Sequence, residues 1–411
     1  MHQTIPKDLQ FYKFCGYGFF KNLRFFDPFI ILFFREMGLS FLQIGLLFSV
    51  REISVNLLEI PTGVLADTLG RRRAMIISFS AYLLSFVTFY LLGFNFWFSA
   101  LAMILYAVGD TFRSGTHKAM ILEYLRIQNI EHLKTDYYGR TRSCSQIGSA
   151  LSALIAAALV FYSGTYRIVF LASVLPYMID LFLIITYPKE LDGARRKEPV
   201  TWKGFFIFTK DSFREVFRNL RLRRTLINTS LGSAAFKVSK DYLQPFLKAW
   251  ALSLPLFLAV SIERRSAVLV GIVYFIIYLL SAQASRFAGE YRRRVGSTTR
   301  ALNVNFLLNV FIYFLAGAGI LLKMYPLSLL AFLGIFLVQN FQKPIMVGFV
   351  GEVTDPGRMA TMLSVENQSR AIFVALFAPV IGYLVDSFTV GGGLIGYAVI
   401  LLALFPLARV R

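Results

Sequence analysis

Polar and ionisable side chains recur at helical spacing inside four long apolar stretches of this 411-residue chain. They occupy the first, fourth, seventh and tenth stretches: Tyr17, Lys21, Arg24 and Asp27; Asp110, Arg113 and His117; Lys237, Lys240, Asp241 and Gln244; Gln339, Gln342 and Lys343. Within a stretch, intervals of three or four residues place them on one helix face. Because an ionisable group at membrane depth is costly, it normally faces protein or a water-filled cavity. The pattern predicts four helices that line one polar cavity.

The composition of this set favours a particular solute chemistry. Basic side chains outnumber acidic ones, so the cavity would attract an anionic or polar solute. Proton coupling needs a group that titrates between two environments, and Asp110, Asp241 and His117 are the candidates, His117 because histidine titrates nearest physiological pH. The alternative is that these groups pair privately and hold helices together, with His117 as a neutral hydrogen-bonded ring.

The sequence lacks the motifs that are typical of enzymes. It contains no nucleophile elbow, phosphate loop, zinc-ligand spacing or paired histidine cluster. Its two cysteines, Cys15 and Cys144, are expected to be free thiols rather than a disulfide or a metal site. We therefore expect no enzyme activity, no catalytic residue, no metal and no cofactor.

The overall composition predicts an all-α membrane protein. Apolar residues make up 56% of the chain and charged residues only 16%, which is too apolar for a soluble protein of this length. Apolar runs of about 20 residues match the thickness of a bilayer when helical. Twelve spans are predicted, at 11–34, 41–65, 74–93, 98–123, 143–162, 167–187, 223–249, 265–288, 301–322, 327–351, 360–386 and 393–408.

The distribution of basic residues predicts the orientation. The chain carries a net charge of +20, and lysine and arginine concentrate in the segments on one side of the spans, which places that side in the cytoplasm. Both termini are therefore expected in the cytoplasm, with the protein multi-pass in the cell membrane. Membrane topology explains this net charge better than a nucleic-acid partner does. The expected partners are a small-molecule solute, protons and the lipid bilayer, and a monomer is expected.

A polar interruption predicts the division of the chain into domains. Residues 188–222 are rich in lysine and arginine and separate a first bundle at 1–187 from a second at 223–411. After Pro199, apolar and basic residues alternate as in an amphipathic helix at the membrane surface. A solvated linker is the alternative. In spans 2 and 11, Glu52, Glu59, Glu366 and Arg370 are expected to make helix contacts or gating pairs.

The loop after the second span, PTGVLADTLGRRR at 61–73, carries a regular set of small and charged residues: Gly63, Asp67, Gly70, Arg71 and Arg72. Gly63 permits close helix approach, and Gly70 allows a turn with positive φ. The Asp67 carboxylate can meet the N-terminus of a neighbouring helix. The arginines can pair with acids such as Glu123, in one conformation and not in another. We predict a gating loop.

This loop resembles the hallmark of the major facilitator superfamily, glycine-x-x-x-aspartate-x-x-glycine-arginine-basic. Arg113 followed by Gly115 resembles the fourth-helix arginine motif of that family, and SRFAGEYRRRVGS at 285–297 is similar to a degraded second copy of the loop. Residues 379–386, PVIGYLVD, repeat the glycine-x-x-x-aspartate spacing at the outer end of span 11. The resemblance implies twelve helices in two pseudo-symmetric six-helix bundles that rock around a central site lined by helices 1, 4, 7 and 10.

Together these features predict a secondary active transporter. It would move a small polar or anionic organic solute by alternating access, coupled to protons. A drug/proton or sugar efflux antiporter is the alternative, although helix 5 has Gly148 without the glycine-proline motif of many antiporters. A transporter-derived sensor or a channel is the alternative from another class.

Overall fold

The computed structural model describes residues 6–192, 220–255, 259–284, 297–353 and 359–410. The side chains of some helical residues, among them Asp67 and Lys343, lie outside the described set. Throughout the described ranges the chain is helical, with short turns and no strand. The helices are α1 Leu9–Lys21, α2 Ile30–Glu36, α3 Phe41–Leu69, α4 Arg71–Leu92, α5 Phe96–Arg113, α6 Thr116–Ile127, α7 Lys134–Ser163, α8 Ile168–Ile185, α9 Leu220–Ser239, α10 Leu243–Ser253, α11 Ile262–Ala284, α12 Thr298–Leu321, α13 Tyr325–Val353 and α14 Met359–Ala408.

Each predicted span coincides with helix over most of its described residues. Among the described residues, seven helices are long and apolar enough to cross a membrane. They lie at Phe41–Glu59, Arg71–Leu92, Asp136–Ser163, Ile168–Ile185, Ile262–Ser281, Thr299–Leu321 and Ser364–Ala408. The boundary predicted between spans 11 and 12 lies within the last of these helices. The backbone leaves helical geometry there, at Phe388 and Thr389.

Three of the four polar spans are interrupted, which corrects the prediction of continuous helices there. Span 1 breaks between α1 and α2, where a 3-10 turn at Asp27–Phe29 carries Pro28. Span 4 breaks between α5 and α6, where Gly115 has a φ of +76°. Span 7 breaks between α9 and α10, where Lys240–Tyr242 forms a 3-10 turn. Each interruption falls at the ionisable residues of its span.

The described chain forms two compact units. Unit 1 comprises Met1–Gly38, Ser54–Pro199 and Leu254–Tyr278, and unit 2 comprises Leu39–Ile53, Val200–Ser253 and Leu279–Arg411. The linker predicted at 188–222 is described only at its two ends, a 3-10 turn at Lys189–Asp192 and the start of α9. The amphipathic helix expected after Pro199 lies outside the described residues. The domain division at 188–222 stays a prediction.

Aromatic rings fill the interior of unit 1. Phe26, within the break in span 1, stacks on Phe170 of α8 with ring centroids 5.6 Å apart. Phe86 of α4 meets Tyr177 of α8 edge-on at 4.8 Å. Such pairs add attraction beyond the burial of apolar area. The packing fixes α1, α4 and α8 against one another and so positions their polar side chains.

A carboxylate joins the start of α3 to α14 within unit 2. Asp386 accepts hydrogen bonds from the backbone N–H of Phe41 at 3.0 Å and of Leu42 at 2.8 Å. An acid at a helix N-terminus satisfies free N–H groups and complements the helix dipole. The two helices also approach closely, since a methyl group built at Gly45 or Gly382 would overlap the backbone of the facing helix.

Candidate functional site

A tyrosine, an acid and an arginine form a hydrogen-bonded cluster between α4 and α5 in unit 1. The Tyr82 hydroxyl donates to Asp110 Oδ1 at 2.5 Å and accepts from Arg113 Nε at 3.1 Å. Arg113 Nη2 also lies 3.3 Å from Asp110 Oδ1. Asp110 and Arg113, which were predicted on one helix face, are therefore brought together as an ion pair. Tyr82 was not among the predicted site residues.

His117, just beyond the break in span 4, lies in a layer of aromatic rings. The Tyr17 ring stacks on its imidazole, with centroids 3.5 Å apart and planes 14° apart. Phe14 meets the same ring edge-on at 5.5 Å, and His117 Nε2 lies 3.2 Å from the Tyr187 hydroxyl. The structure brings the predicted residues Tyr17 and His117 together, and this pattern of contacts fits the neutral, hydrogen-bonded ring.

The break in span 1 carries three charged residues. Arg24 Nη1 lies 3.7 Å from Asp27 Oδ2, a pair formed around the turn itself. Lys21 ends α1 and is 4% exposed, and its backbone carbonyl accepts a hydrogen bond from the Tyr177 hydroxyl of α8 at 3.2 Å. The ion pairs found among the described residues do not include Lys21.

Unit 2 contains a buried acid shared by two cations. Glu52 of α3 is 2% exposed, and it lies 3.0 Å from Arg51 Nη2 and 2.7 Å from Lys237 Nζ of α9. Lys237 was predicted to face the cavity and Glu52 to make a helix contact, and the structure joins the two. With two cations on one carboxylate, the cluster carries surplus positive charge.

The other predicted residues of unit 2 lie near the break in span 7 or on α13. Lys240 Nζ lies 2.6 Å from Asp241 Oδ1, and Gln244 is buried. Gln342 is buried against Gly232 of α9, and its amide atoms have no hydrogen-bond partner among the described residues. Gln339 lies one turn earlier on α13, half-buried. The Lys343 side chain lies outside the described set.

Of the residues predicted to make contacts in spans 2 and 11, Glu366 and Arg370 lie in unit 2, like Glu52, whereas Glu59 lies in unit 1. Glu366 of α14 is buried in unit 2, where its backbone carbonyl accepts from Ser230 Oγ of α9 at 3.2 Å. Arg370 follows one turn later, half-buried, and contributes to the electrostatic surroundings of Lys237. Glu59 falls in the part of α3 that belongs to unit 1, half-buried.

The predicted gating loop turns at Gly70, whose φ is +96°. Arg71 Nη1 lies 3.5 Å from Glu123 Oε2, so the pairing predicted for these residues is present. No described atom lies within 4 Å of a methyl group built at Gly63, so the close helix approach expected at that residue is not found. The Asp67 side chain lies outside the described set.

Asp192 takes part in this loop, although the sequence analysis did not include it. Its Oδ1 accepts from the backbone N–H of Arg72 at 2.7 Å, at the N-terminus of α4. The Arg72 guanidinium in turn donates to the backbone carbonyl of Tyr187 at 3.2 Å. Asp192 supplies a helix-capping acid of the kind predicted for Asp67, and its position in the linker gave no sequence signal for this role.

Comparison with known proteins identifies the family. The family model of the Major Facilitator Superfamily matches residues 14–372. A protein of Bacillus subtilis (strain 168), named as the uncharacterized MFS-type transporter YxaM, is 20% identical over 380 residues, which cover 92% of this chain and 89% of that protein.

Solved transporters have a similar fold. A mutant of the nucleoside transporter NupG superposes with a TM-score of 0.75 at 16% identity, over 97% of this chain and 98% of that one. A POT family transporter in complex with a thioalcohol-conjugated peptide gives a TM-score of 0.69 at 13% identity, over 97% and 93%. At these identities the likeness establishes the fold alone. The chain belongs to the Major Facilitator Superfamily, and it is a multi-pass, all-helical membrane transporter.

Proposed function

We propose that this transporter moves a small polar or anionic organic solute by alternating access, coupled to protons and without chemical conversion of the solute. The observation that carries the proposal is the interruption of three polar spans at their ionisable residues. Irregular backbone at membrane depth is tolerated where it lies within protein or lines a cavity, and broken helices form the solute sites of many transporters. The breaks at Asp27–Phe29, Gly115 and Lys240–Tyr242 fit that role.

The charge of the clusters supports the solute class. In unit 2, Arg51 and Lys237 both pair with the Glu52 carboxylate, and in unit 1 the buried Lys21 adds a further cation. A surplus of positive charge in a site of low dielectric constant attracts an anion or the negative end of a polar solute. A drug or a sugar would gain less electrostatic binding energy from the same basic groups.

The coupling to protons is proposed through Asp110, Asp241 and His117. Each contacts a group that would respond to its charge: Arg113, Lys240 and the Tyr187 hydroxyl respectively. Asp110→Asn should abolish flux driven by a pH gradient while leaving solute exchange intact. Unchanged gradient-driven flux would reject this assignment of Asp110.

The orientation proposed with this function places both termini in the cytoplasm and the protein, as a monomer, in the cell membrane. The gating loop, with its Arg71–Glu123 ion pair, then lies on the cytoplasmic side. A positive-inside distribution of lysine and arginine supports this choice.

The deciding experiment is uptake into proteoliposomes that contain the purified protein. Radiolabelled organic acids, nucleosides, short peptides, sugars and cationic drugs would be compared, with and without a pH gradient. We expect saturable uptake and counterflow of an anionic or polar compound. Movement of neutral or cationic compounds alone contradicts the solute class, and flux without saturation indicates a channel.

A matched pair of variants tests the role of the charge cluster. Lys237→Gln removes one cation from Glu52 and should weaken uptake of the transported anion by tenfold or more, about 1.4 kcal/mol or more. Lys323→Gln removes an exposed cation from the turn between α12 and α13 and should leave uptake unchanged. Equal effects of both variants would mean that general surface charge, and not the cluster, attracts the solute.

A further inference from the structure

Asp180 is a fully buried acid for which the sequence analysis proposed no role. It lies on α8, about 8 Å from the C-terminal end of that helix. Its side chain is 0% exposed, and neither carboxylate oxygen has a hydrogen-bond partner among the described residues. None of the ion pairs within the described ranges includes it.

The acids of the polar clusters are held differently. Asp110 accepts from Tyr82 and pairs with Arg113, Asp241 pairs with Lys240, and Glu52 pairs with two cations. Each of these carboxylates has a cation that favours its ionised form. Asp180 has no such cation in contact. Burial without a counter-ion strongly disfavours the ionised form of a carboxyl group, so the neutral acid fits the packing around Asp180.

The groups around Asp180 come from every helix packed against α8. Tyr17 of α1 and Tyr187, just beyond α8, both interact with it electrostatically. On α4, Tyr82 faces α8 but is engaged by Asp110 and Arg113. On α7, the titratable groups near α1 are Tyr137, which meets the Phe14 ring, and Cys144, beside Cys15. Arg24 and Arg113 act on Tyr17 from the next shell of residues.

Lys21 is the buried cation on α1, the helix that packs against α8. Its backbone carbonyl accepts from the hydroxyl of Tyr177, which lies one helical turn before Asp180. This bond holds the end of α1 beside the segment of α8 that carries the acid. Lys21 and Asp180 are thus two buried ionisable groups of opposite charge type on neighbouring helices. No ion pair among the described residues joins them.

We propose that Asp180 is a proton-binding site, and that Lys21 compensates its charge when the proton leaves. In the described conformation the carboxylic acid is protonated. On release, its O–H bond breaks, the proton passes to water, and the carboxylate pairs with the Lys21 ammonium group. The site lies beside the Tyr17, His117 and Tyr187 layer, so its charge would be felt at the candidate solute site. This inference deepens the proton coupling proposed above.

Infrared spectroscopy of the purified protein tests proton binding without any solute. At neutral pH the wild type should show the carbonyl band of a protonated carboxylic acid, which shifts when aspartate is labelled with ¹³C. Asp180→Asn should remove the band, and Asp136→Asn, at an exposed position on α7, should leave it. A band that persists in Asp180→Asn, or no aspartic acid band in the labelled wild type, overturns the proposal. If Asp180→Asn fails to fold, Asp180→Glu decides the matter, because its carbonyl band should no longer shift when aspartate is labelled with ¹³C.

A second variant tests the role of Lys21. Raising the pH should remove the Asp180 band as the proton dissociates. Lys21→Gln should move the midpoint of that loss upward by about one pH unit or more, tenfold in proton affinity, because the carboxylate then lacks its cation. An unchanged midpoint overturns the assignment of Lys21.

Transport then separates this inference from the proposed function. Where the wild type responds to a pH gradient, Asp180→Asn should lose that response and keep solute exchange. A variant that keeps the full response excludes Asp180 from coupling. A wild type that transports without any response contradicts the proposed proton coupling, while the infrared result still decides whether Asp180 binds a proton.

Discussion

The hydroxyl of Tyr82 makes two hydrogen bonds in a fully buried position, one donated to Asp110 and one accepted from Arg113. Tyr82→Phe removes both and leaves the ion pair one partner short. Loss of a buried partner of charged groups costs about 1–3 kcal/mol. We therefore expect a lower melting temperature and slower transport, measured by thermal unfolding and uptake.

Tyr162→Phe is the control for this prediction. Tyr162 lies near the end of α7 and is 81% exposed, so removal of its hydroxyl should change neither the melting temperature nor uptake. If Tyr82→Phe matched this control, the hydroxyl of Tyr82 would have no part in holding Asp110 and Arg113.

The buried Glu52–Lys237 pair lends itself to a double-mutant cycle. Glu52→Gln leaves Lys237 and Arg51 without their shared carboxylate, and loss of one member of a buried pair costs about 3–5 kcal/mol. Lys237→Met should cost less, because Arg51 still pairs with Glu52. The double variant should lose less unfolding free energy than the two single variants lose together, since fewer uncompensated charges remain buried. Thermal unfolding of the four proteins measures the coupling.

An exposed ion pair provides the matched comparison. Arg126 Nη1 lies 4.0 Å from Glu123 Oε1, and the Arg126 side chain is 68% exposed. Arg126→Gln should change stability by no more than about 0.5 kcal/mol. A Glu52–Lys237 coupling as small as this would mean that solvent reaches the Glu52 cluster.

At the scale of elements, the break between α5 and α6 depends on the backbone of Gly115. Its φ of +76° disfavours any residue with a Cβ atom, although no described atom lies within 4 Å of the position that a methyl group would take. Gly115→Ala should therefore cost about 1 kcal/mol through strain alone. Gly63→Ala has equally open surroundings inside α3, where alanine favours helix, and should be neutral or stabilising. Equal melting temperatures for the two variants would show that the break tolerates another backbone conformation.

The positions of the helices follow from apolar periodicity, and the predicted spans coincide with helix over most of their described residues. The breaks in spans 1, 4 and 7 do not follow from it. Hydropathy registers Ser114 and Gly115 only as two weakly polar residues, and it carries no information on the backbone angle of Gly115, whose φ is +76°. Likewise, nothing local in the sequence turns Lys240–Tyr242 into a 3-10 segment.

For the candidate site, the sequence indicates which residues are ionisable but not which of them meet. Asp110 and Arg113 were predicted because they share a helix face, whereas Tyr82 was not, because the predicted span at 74–93 contains no charged residue. The pairing of Glu52 with Lys237 joins residues that lie 185 positions apart. Such contacts are set by helix packing, which a single sequence does not specify.

At the scale of the whole molecule, the distribution of charge predicts the topology. Single cysteines would replace exposed residues in a variant with Cys15→Ser and Cys144→Ser. A membrane-impermeant thiol reagent added to intact cells should label Ser163→Cys and Lys323→Cys, and it should not label Lys134→Cys or Lys189→Cys until the cells are opened. The reverse labelling pattern would place both termini outside the cell.

The hydrogen bonds between Asp386 and the start of α3 depend on the side chain at position 386 but not on the side chains at positions 41 and 42. The donors are the backbone N–H groups of Phe41 and Leu42, which every residue except proline supplies. Many replacements at 41 and 42 should therefore preserve the link, while Asp386→Ala removes it at a cost of about 1 kcal/mol. In a saturation mutagenesis screen for growth or folding, position 386 should be intolerant and positions 41 and 42 permissive, with proline as the exception.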